Sequence, residues 1–240
     1  MRAIGRLVWE DDFNGPAGSP PDPACWRHEL GAGGWGNGEL QRYTDEPANA
    51  YQDGRGNLCI VGRKDSAGAF SSARLVSRGL VQFQYGRLEA RVKLPGGQGL
   101  WSALWLLGAD IESKPWPACG EIDVMEHVGA EDRLVFGTVH CPGHCGRDGI
   151  SGDHIAAARL SEDFHSFAVD WSAEAIVWSI DGHDYFTVTP AQLSAAWVFD
   201  HPFYILVNLA IGGWLGGAVG EATRFPATLQ IDHVRIFAAD

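Results

Sequence analysis

A chain of 240 residues, 45% hydrophobic and 20% charged, is long enough to bury a core without disulfide staples and too apolar for intrinsic disorder. Its 18 Lys and Arg against 30 Asp and Glu give a formal charge of −12, with no basic patch to track phosphates, which excludes nucleic acid as a partner. Ten Trp, 31 Gly and 12 Pro point to many strands, many turns and flat aromatic platforms.

From the start, Met1–Trp9 lacks the apolar run and small-residue cleavage site of a secretory leader. Leu80–Tyr85 reads as a strand, and Arg87–Leu94 alternates polar and apolar strictly, as a half-buried strand does. In the strand Gly99–Leu106, Trp101, Ala103 and Trp105 share one face. Phe136–His140 is a further strand. The run His140-Cys141-Pro142-Gly143-His144-Cys145 admits a local Cys141–Cys145 bridge or free thiols. A zinc site would need four ligands, and no second pair of them is evident. Ala175–Ile180 and His183–Val188 flank Asp181-Gly182, the signature of a tight hairpin. Thr189-Pro190-Ala191-Gln192-Leu193 carries a cap residue and a first-turn Pro, so one short helical turn is expected. Phe203–Ile211 reads as a buried strand running into a Gly-rich loop, whose five glycines between Gly212 and Gly220 argue against a membrane span. Leu229–Phe237 forms a last strand whose apolar phase slips, predicting a bulge near Asp232. The sum is one all-β domain, residues 1–240, of two stacked sheets, with Trp9, Trp171, Trp178 and Trp197 in the core or at its edge.

The most informative segment is Gly120-Glu121-Ile122-Asp123-Val124-Met125-Glu126-His127. On a strand, Glu121 and Asp123 share a face while Ile122 and Val124 face the core. Regular alternation puts Glu126 on the wrong face, and a bulge around Val124–Met125 returns it to the other two acids. A solvated face would mix charges, because neighbouring like charges repel. Three acids without an intervening Lys or Arg instead raise at least one pKa, which suits proton donation in glycoside hydrolysis. Metal binding by the carboxylates is the rival reading.

Glu121-Ile122-Asp123-Val124-Met125-Glu126 resembles the bulged E-x-D-x-x-E signature of glycoside hydrolase family 16, in the form of its laminarinases, the endo-1,3-β-glucanases. Trp9–Phe13, Gly33–Tyr43, Tyr85–Arg91, Trp116–Gly120, Asp170–Ser172 and Ile231–Arg235 are also similar to family segments, so the resemblance covers nearly the whole chain. It implies a concanavalin A-like β-jelly roll of two curved antiparallel sheets with a cleft. It implies a retaining mechanism, with Glu121 as nucleophile, Glu126 as acid/base and Asp123 tuning the nucleophile. Trp101 and Trp105 are implied as sugar platforms, and Trp116 and Trp214 as further ones. Arg74, His140, Asn37, Glu39 and Asn208 are implied as sugar contacts. Catalysis needs no cofactor. A structural calcium is implied on Asp12 and Gly56 through backbone oxygens and on Asp232 through its carboxylate. The chain departs from the family in a short Lys64–Phe70 segment and in the unusual His140–Cys145 loop.

The expected activity is endo-hydrolysis of β-1,3-glucan by a monomer without membrane or nucleic-acid partners. Mixed-linkage 1,3-1,4-glucan hydrolysis, transglycosylation and a non-catalytic glucan-binding module are the alternatives, and retention of all three acids argues against the last. An extracellular polysaccharide as substrate implies secretion, which the start of the chain does not itself encode.

Overall fold

The computed structural model describes residues 5–239. Met1–Ile4, on which the leader reading partly rests, and Asp240 lie outside the described residues. The alternating patterns become two stacked sheets. The larger runs in the order His183–Val188, Ile176–Ile180, His165–Trp171, Gly86–Lys93, Ala227–Phe237, Leu58–Lys64, Phe70–Ser72 and Gln41–Tyr43. Leu7–Asp11 pairs with Ala227–Phe237, and Ala50–Gln52 with Leu58–Lys64. The second sheet runs Ile150–Ile155, Leu134–His140, Glu121–Val128, Leu100–Gly108, Phe203–Ile211, Arg74–Val76 and Arg27–His28, with Gln82–Phe83 also on Phe203–Ile211. This is the expected jelly roll. Pairing is antiparallel except between Gln41–Tyr43 and Phe70–Ser72, which run parallel at an edge.

Period-two burial fixes both sheets. In Gly86–Lys93, Leu88, Ala90 and Val92 are buried while Arg87, Glu89 and Arg91 face outward. In Phe203–Ile211, Ile205, Val207 and Leu209 enter the core, and Leu206 and Asn208 face the other side. Trp171 and Trp178 are fully buried, whereas Trp9 and Trp197 are partly buried against the core. Asp181 (φ 49°) and Gly182 (φ 77°) make the primed hairpin turn. The bulge between Ile231 and His233 falls where the phase slip predicted it.

Two local readings change, and the helical turn expected after Thr189 gains detail. Leu80–Tyr85 is a strand only at Gln82–Phe83, because the Leu80 and Val81 amides both donate to the Ser77 carbonyl and Ser77 Oγ donates to Val81 O at 2.6 Å, winding the chain into a turn. The turn after Thr189 is a 3₁₀ helix, Pro190–Gln192, closed by the Thr189 amide donating to Gln192 Oε1 at 2.7 Å. The Gly-rich loop contains one helical turn, Gly213–Gly216. Cys141 and Cys145 are both free thiols. Among the described residues, no helix is long and apolar enough to cross a membrane.

Candidate active site

Glu121–Val128 is central to the eight-stranded sheet. Against its two neighbours its register shifts between Leu104 and Trp105 on one side and between Asp123 and Glu126 on the other. The consecutive side chains of Val124 and Met125 both enter the core, which is the expected bulge. Glu121, Asp123 and Glu126 consequently line one cleft of about 360 Å³ on the outward face. A residue of the opposite sheet supports this kink. The Trp178 indole crosses the core and donates to the Asp123 backbone carbonyl at 2.8 Å. It fits because position 137, across from the bulge, is Gly, where a Cβ would overlap the indole.

Each acid has its own partners. Glu121 accepts from Trp116 Nε1 at 2.8 Å. Glu126 accepts from Trp101 Nε1 at 3.2 Å and from Thr138 Oγ1 at 3.2 Å. His140 Nε2 lies 3.3 Å from Asp123 Oδ2 and 3.8 Å from Glu121 Oε1. Burial pushes the Glu121 carboxyl well above the usual range, and the charges of Asp123 and Glu126 push it further, against His140 and the Trp116 N–H. Burial, then Glu126, raises Asp123, while its hydrogen bond with Glu121 opposes the rise. Burial raises Glu126 too, opposed by His140, Thr138 and Trp101. Three such groups cannot all ionise together near neutral pH, so the cluster retains a proton.

The walls are aromatic and tightly networked. Trp105 Nε1 donates to Asn208 Oδ1 at 2.9 Å, and Asn208 Nδ2 donates to the Tyr43 hydroxyl at 3.0 Å. Tyr43 donates to Glu39 Oε2 at 3.0 Å, joined there by Gln41 Nε2 at 2.6 Å, while Asn37 Nδ2 donates to Glu39 Oε1 at 2.9 Å. Glu39 therefore holds the loop's shape. The Arg74 guanidinium is sandwiched between Trp35 (4.8 Å) and Trp105 (4.7 Å), and its Nε lies 2.6 Å from Glu29.

The structure brings together in this cleft Glu121, Asp123, Glu126, Asn37, Glu39, Arg74, Trp101, Trp105, Trp116, His140, Asn208 and Trp214. Trp101 differs from an open platform. It is only 7% exposed, packs edge-on to Trp214 at 5.8 Å, and turns its N–H to Glu126. Trp116 (43%) and Trp214 (41%) are the open indoles. Trp35, within the Gly33–Tyr43 loop, is a lining indole that the sequence pattern does not single out. Nor does that pattern single out the hydrogen bonds of Thr138 to Glu126 and of Trp178 to the Asp123 carbonyl. The strand phase of Thr138 beside the acids was an available signal for the former.

The positions expected to hold calcium do not form a ready cation cage. Gly56 does approach the Asp12 backbone oxygen. Both Asp232 carboxylate oxygens are engaged, however, one 2.6 Å from His233 Nδ1 and the other 3.0 Å from Arg91. Asp12 pairs through its side chain with Arg235. The described His, Cys, Asp and Glu side chains converge closely enough for a metal at one place, Glu121, Asp123 and His140, within the cleft itself.

The sequence pattern of Glycosyl hydrolases family 16 matches residues 39–235. A β-glucanase of Rhodothermus marinus is 39% identical over 97% of this chain and 85% of its own length. The crystal structure of an endo-β-1,3-glucanase from Pyrococcus furiosus superposes with a TM-score of 0.91 at 41% identity, covering 98% of this chain and 94% of the other. The laminarinase catalytic domain of Thermotoga maritima superposes with a TM-score of 0.92 at 39% identity, covering 99% and 100%. The chain belongs to glycosyl hydrolase family 16.

Proposed function

We propose that this family 16 glycosyl hydrolase cuts β-1,3-glucan within the chain, as a monomer, with retention of anomeric configuration. The observation that carries the proposal is the bulged strand itself, which turns Glu121, Asp123 and Glu126 into one cleft walled by Trp35, Trp105, Trp116 and Trp214. The named activities of the Rhodothermus, Pyrococcus and Thermotoga relatives support the substrate.

Glu121 is the nucleophile. Its carboxylate bonds to the anomeric carbon as the bond to the departing O3 breaks, and Glu126 delivers its proton to that oxygen. Burial raises Glu126, which favours the protonated form that donates, and the Trp101 and Thr138 donors stabilise the carboxylate left after transfer. Glu126 then takes a proton from water, whose oxygen attacks the same carbon and expels Glu121. Asp123, beside Glu121, takes up the shared proton as Glu121 ionises to attack, because burial and the charge of Glu126 raise its carboxyl. Trp116 and His140 orient Glu121 from the other side. No step runs through a metal.

Azide rescue tests the assignment. With an activated glycoside, Glu121→Ala plus azide gives the inverted glycosyl azide, and Glu126→Ala plus azide gives the retained one. Swapped products would reverse the roles. Product analysis on laminarin, lichenan, agarose and carrageenan tests the substrate, and equal rates on lichenan and laminarin would replace the 1,3 reading with a mixed-linkage one.

A further inference from the structure

We infer that Arg147 is a specificity-determining residue: with Trp214 it closes a strap across the cleft, so that the centre favours a single unbranched β-1,3-glucan strand. The inference rests on the function proposed above.

Arg147 and Trp214 reach each other from opposite walls. The loop carrying Arg147 follows His140, which pairs with Glu121 at one end of the acid strand. Trp214 lies just beyond Ile211, which pairs with Leu100, and the adjacent Trp101 pairs with Val128 at the other end of the acid strand. The Trp214 ring packs 5.8 Å from the Trp101 ring, whose N–H donates to Glu126, so it stands on the Glu126 side of the acid strand while the Arg147 loop starts from the Glu121 side. The Arg147 guanidinium nevertheless sits 5.2 Å from the centre of the Trp214 ring. The Arg147 and Trp214 side chains therefore meet at the cleft that Gly146, Trp214 and the three acids line together.

Both ends of the strap are tied down. The Cys141 amide donates to His144 O at 2.8 Å and the His144 amide to Cys141 O at 2.9 Å, closing the base of the loop over Pro142-Gly143. His144 Nε2 lies 3.1 Å from the Ser194 amide and 2.9 Å from Ser194 Oγ, anchoring the turn to a different segment. A Cβ on Gly149 would overlap the His140 ring, so the returning strand presses against the side chain that faces Asp123 and Glu121. On the far wall, the Trp214 amide donates to Asn37 O at 2.9 Å, and the indole stands edge-on to Trp101, which donates to Glu126.

The contact itself is light. Arg147 is exposed and makes no ion pair among the described residues, so the cation–π contact with Trp214 is what holds its end of the strap. A contact of this kind opens readily, which lets a polymer enter sideways as endo-cleavage requires. Once closed, it leaves a covered passage for a ribbon of glucose rings. A 6-linked branch on a sugar under the strap would meet the guanidinium, whereas an unbranched strand passes beneath.

The test measures kcat/KM on a linear β-1,3-gluco-oligosaccharide and on a laminarin fraction rich in 1,6-branches. Wild type should favour the linear substrate, and Arg147→Ala should narrow that preference at least about fivefold, chiefly through the KM of the branched substrate. Arg147→Lys keeps a cation over the indole and should stay within about twofold of wild type. Calorimetric binding of the same two sugars to Glu121→Gln, with and without Arg147→Ala, should show the same narrowing. A preference unchanged by Arg147→Ala in a wild type that cuts linear glucan would overturn the strap and leave the proposed function standing. A wild type that neither cuts nor binds the linear sugar would overturn the function and this inference with it.

Discussion

On the outer face of the ten-stranded sheet, Arg87 lies 2.8 Å from both Glu89 and Asp170, Arg91 lies 3.0 Å from Asp232, and Arg235 lies 3.0 Å from Asp12. On the outward face of the eight-stranded sheet, Glu121, Asp123 and Glu126 stand together with His140 beside them. Both faces come from the same alternation of polar and apolar residues. The first obeys the cross-strand rule that opposite charges sit opposite one another, and the His233 imidazole, 3.9 Å away, together with the Arg87 guanidinium holds Glu89 down to about 2 against burial. The second violates the rule, and its carboxyls are all pushed up. The contrast teaches where to look for chemistry: in the stretch where alternation brings like charges together and a bulge adds another.

The sharpest way to break the comparison is to neutralise one acid in the cleft. Glu121→Gln should lower kcat at least about 10³-fold, because no covalent intermediate forms. Steady-state hydrolysis of laminarin checks this, and near-normal turnover would remove Glu121 from the mechanism.

Asp123→Asn should lower kcat roughly 10²-fold, within the usual range for acid–base tuning. It should also stabilise the fold at neutral pH. Burial and Glu126 raise the folded pKa of Asp123 above its unfolded value of about 3.9, so its contribution is most favourable below that pH and is lost as pH rises through the folded value. Melting temperatures should therefore favour the variant at pH 7.5 by a few degrees, at about 2–4 °C per kcal/mol for a domain this size. The difference should shrink toward pH 4. A pH-independent difference would mean that the cleft does not store this repulsion.

Trp178→Phe keeps most of the buried ring but leaves the Asp123 carbonyl without its donor. A cost of about 1–3 kcal/mol is expected in chemical denaturation. The rate should fall more in kcat than in KM, since the bulge that aims the acids loosens while the sugar-binding walls remain.

Glu89→Gln makes the smallest change. Activity should be unaltered. Glu89 is depressed to about 2 in the fold, so its stabilising contribution is present above its ordinary value near 4.3 and is lost as pH falls toward 2. A loss of about 1 kcal/mol at pH 7, vanishing near pH 2, is the expected outcome for a half-buried pair. Stability curves at the two pH values measure it.

Much of this was legible in the chain. Three acids among Ile, Val and Met, with spacing one residue out of phase, specify both the face and the bulge. Asp-Gly between two apolar runs specifies its hairpin, and the slipped phase before Val234 specifies another bulge. What alternation does not carry is which distant groups meet. Trp178 reads as a core residue, and it is one, but its bond to Asp123 O depends on two sheets docking in one register. Arg147 sits in a loop whose meeting with Trp214 no local pattern describes. Leu80 and Val81 have strand character, yet the Ser77 side chain and carbonyl win them for a turn. Trp101 has a platform's position on its strand, but Trp214, from elsewhere in the chain, covers it.

The seat of the Trp178 indole against Gly137 has a consequence for how the molecule assembles. The shape of the acid strand is completed by a side chain from the facing sheet, so neither sheet alone carries a finished catalytic centre. During refolding, strand pairing within each sheet could be followed by far-ultraviolet dichroism, and closure of the core by the fluorescence of the buried indoles. Hydrolytic activity should recover with the second signal and not the first. Turnover then serves as a kinetic clock for the moment at which the two halves of the sandwich meet.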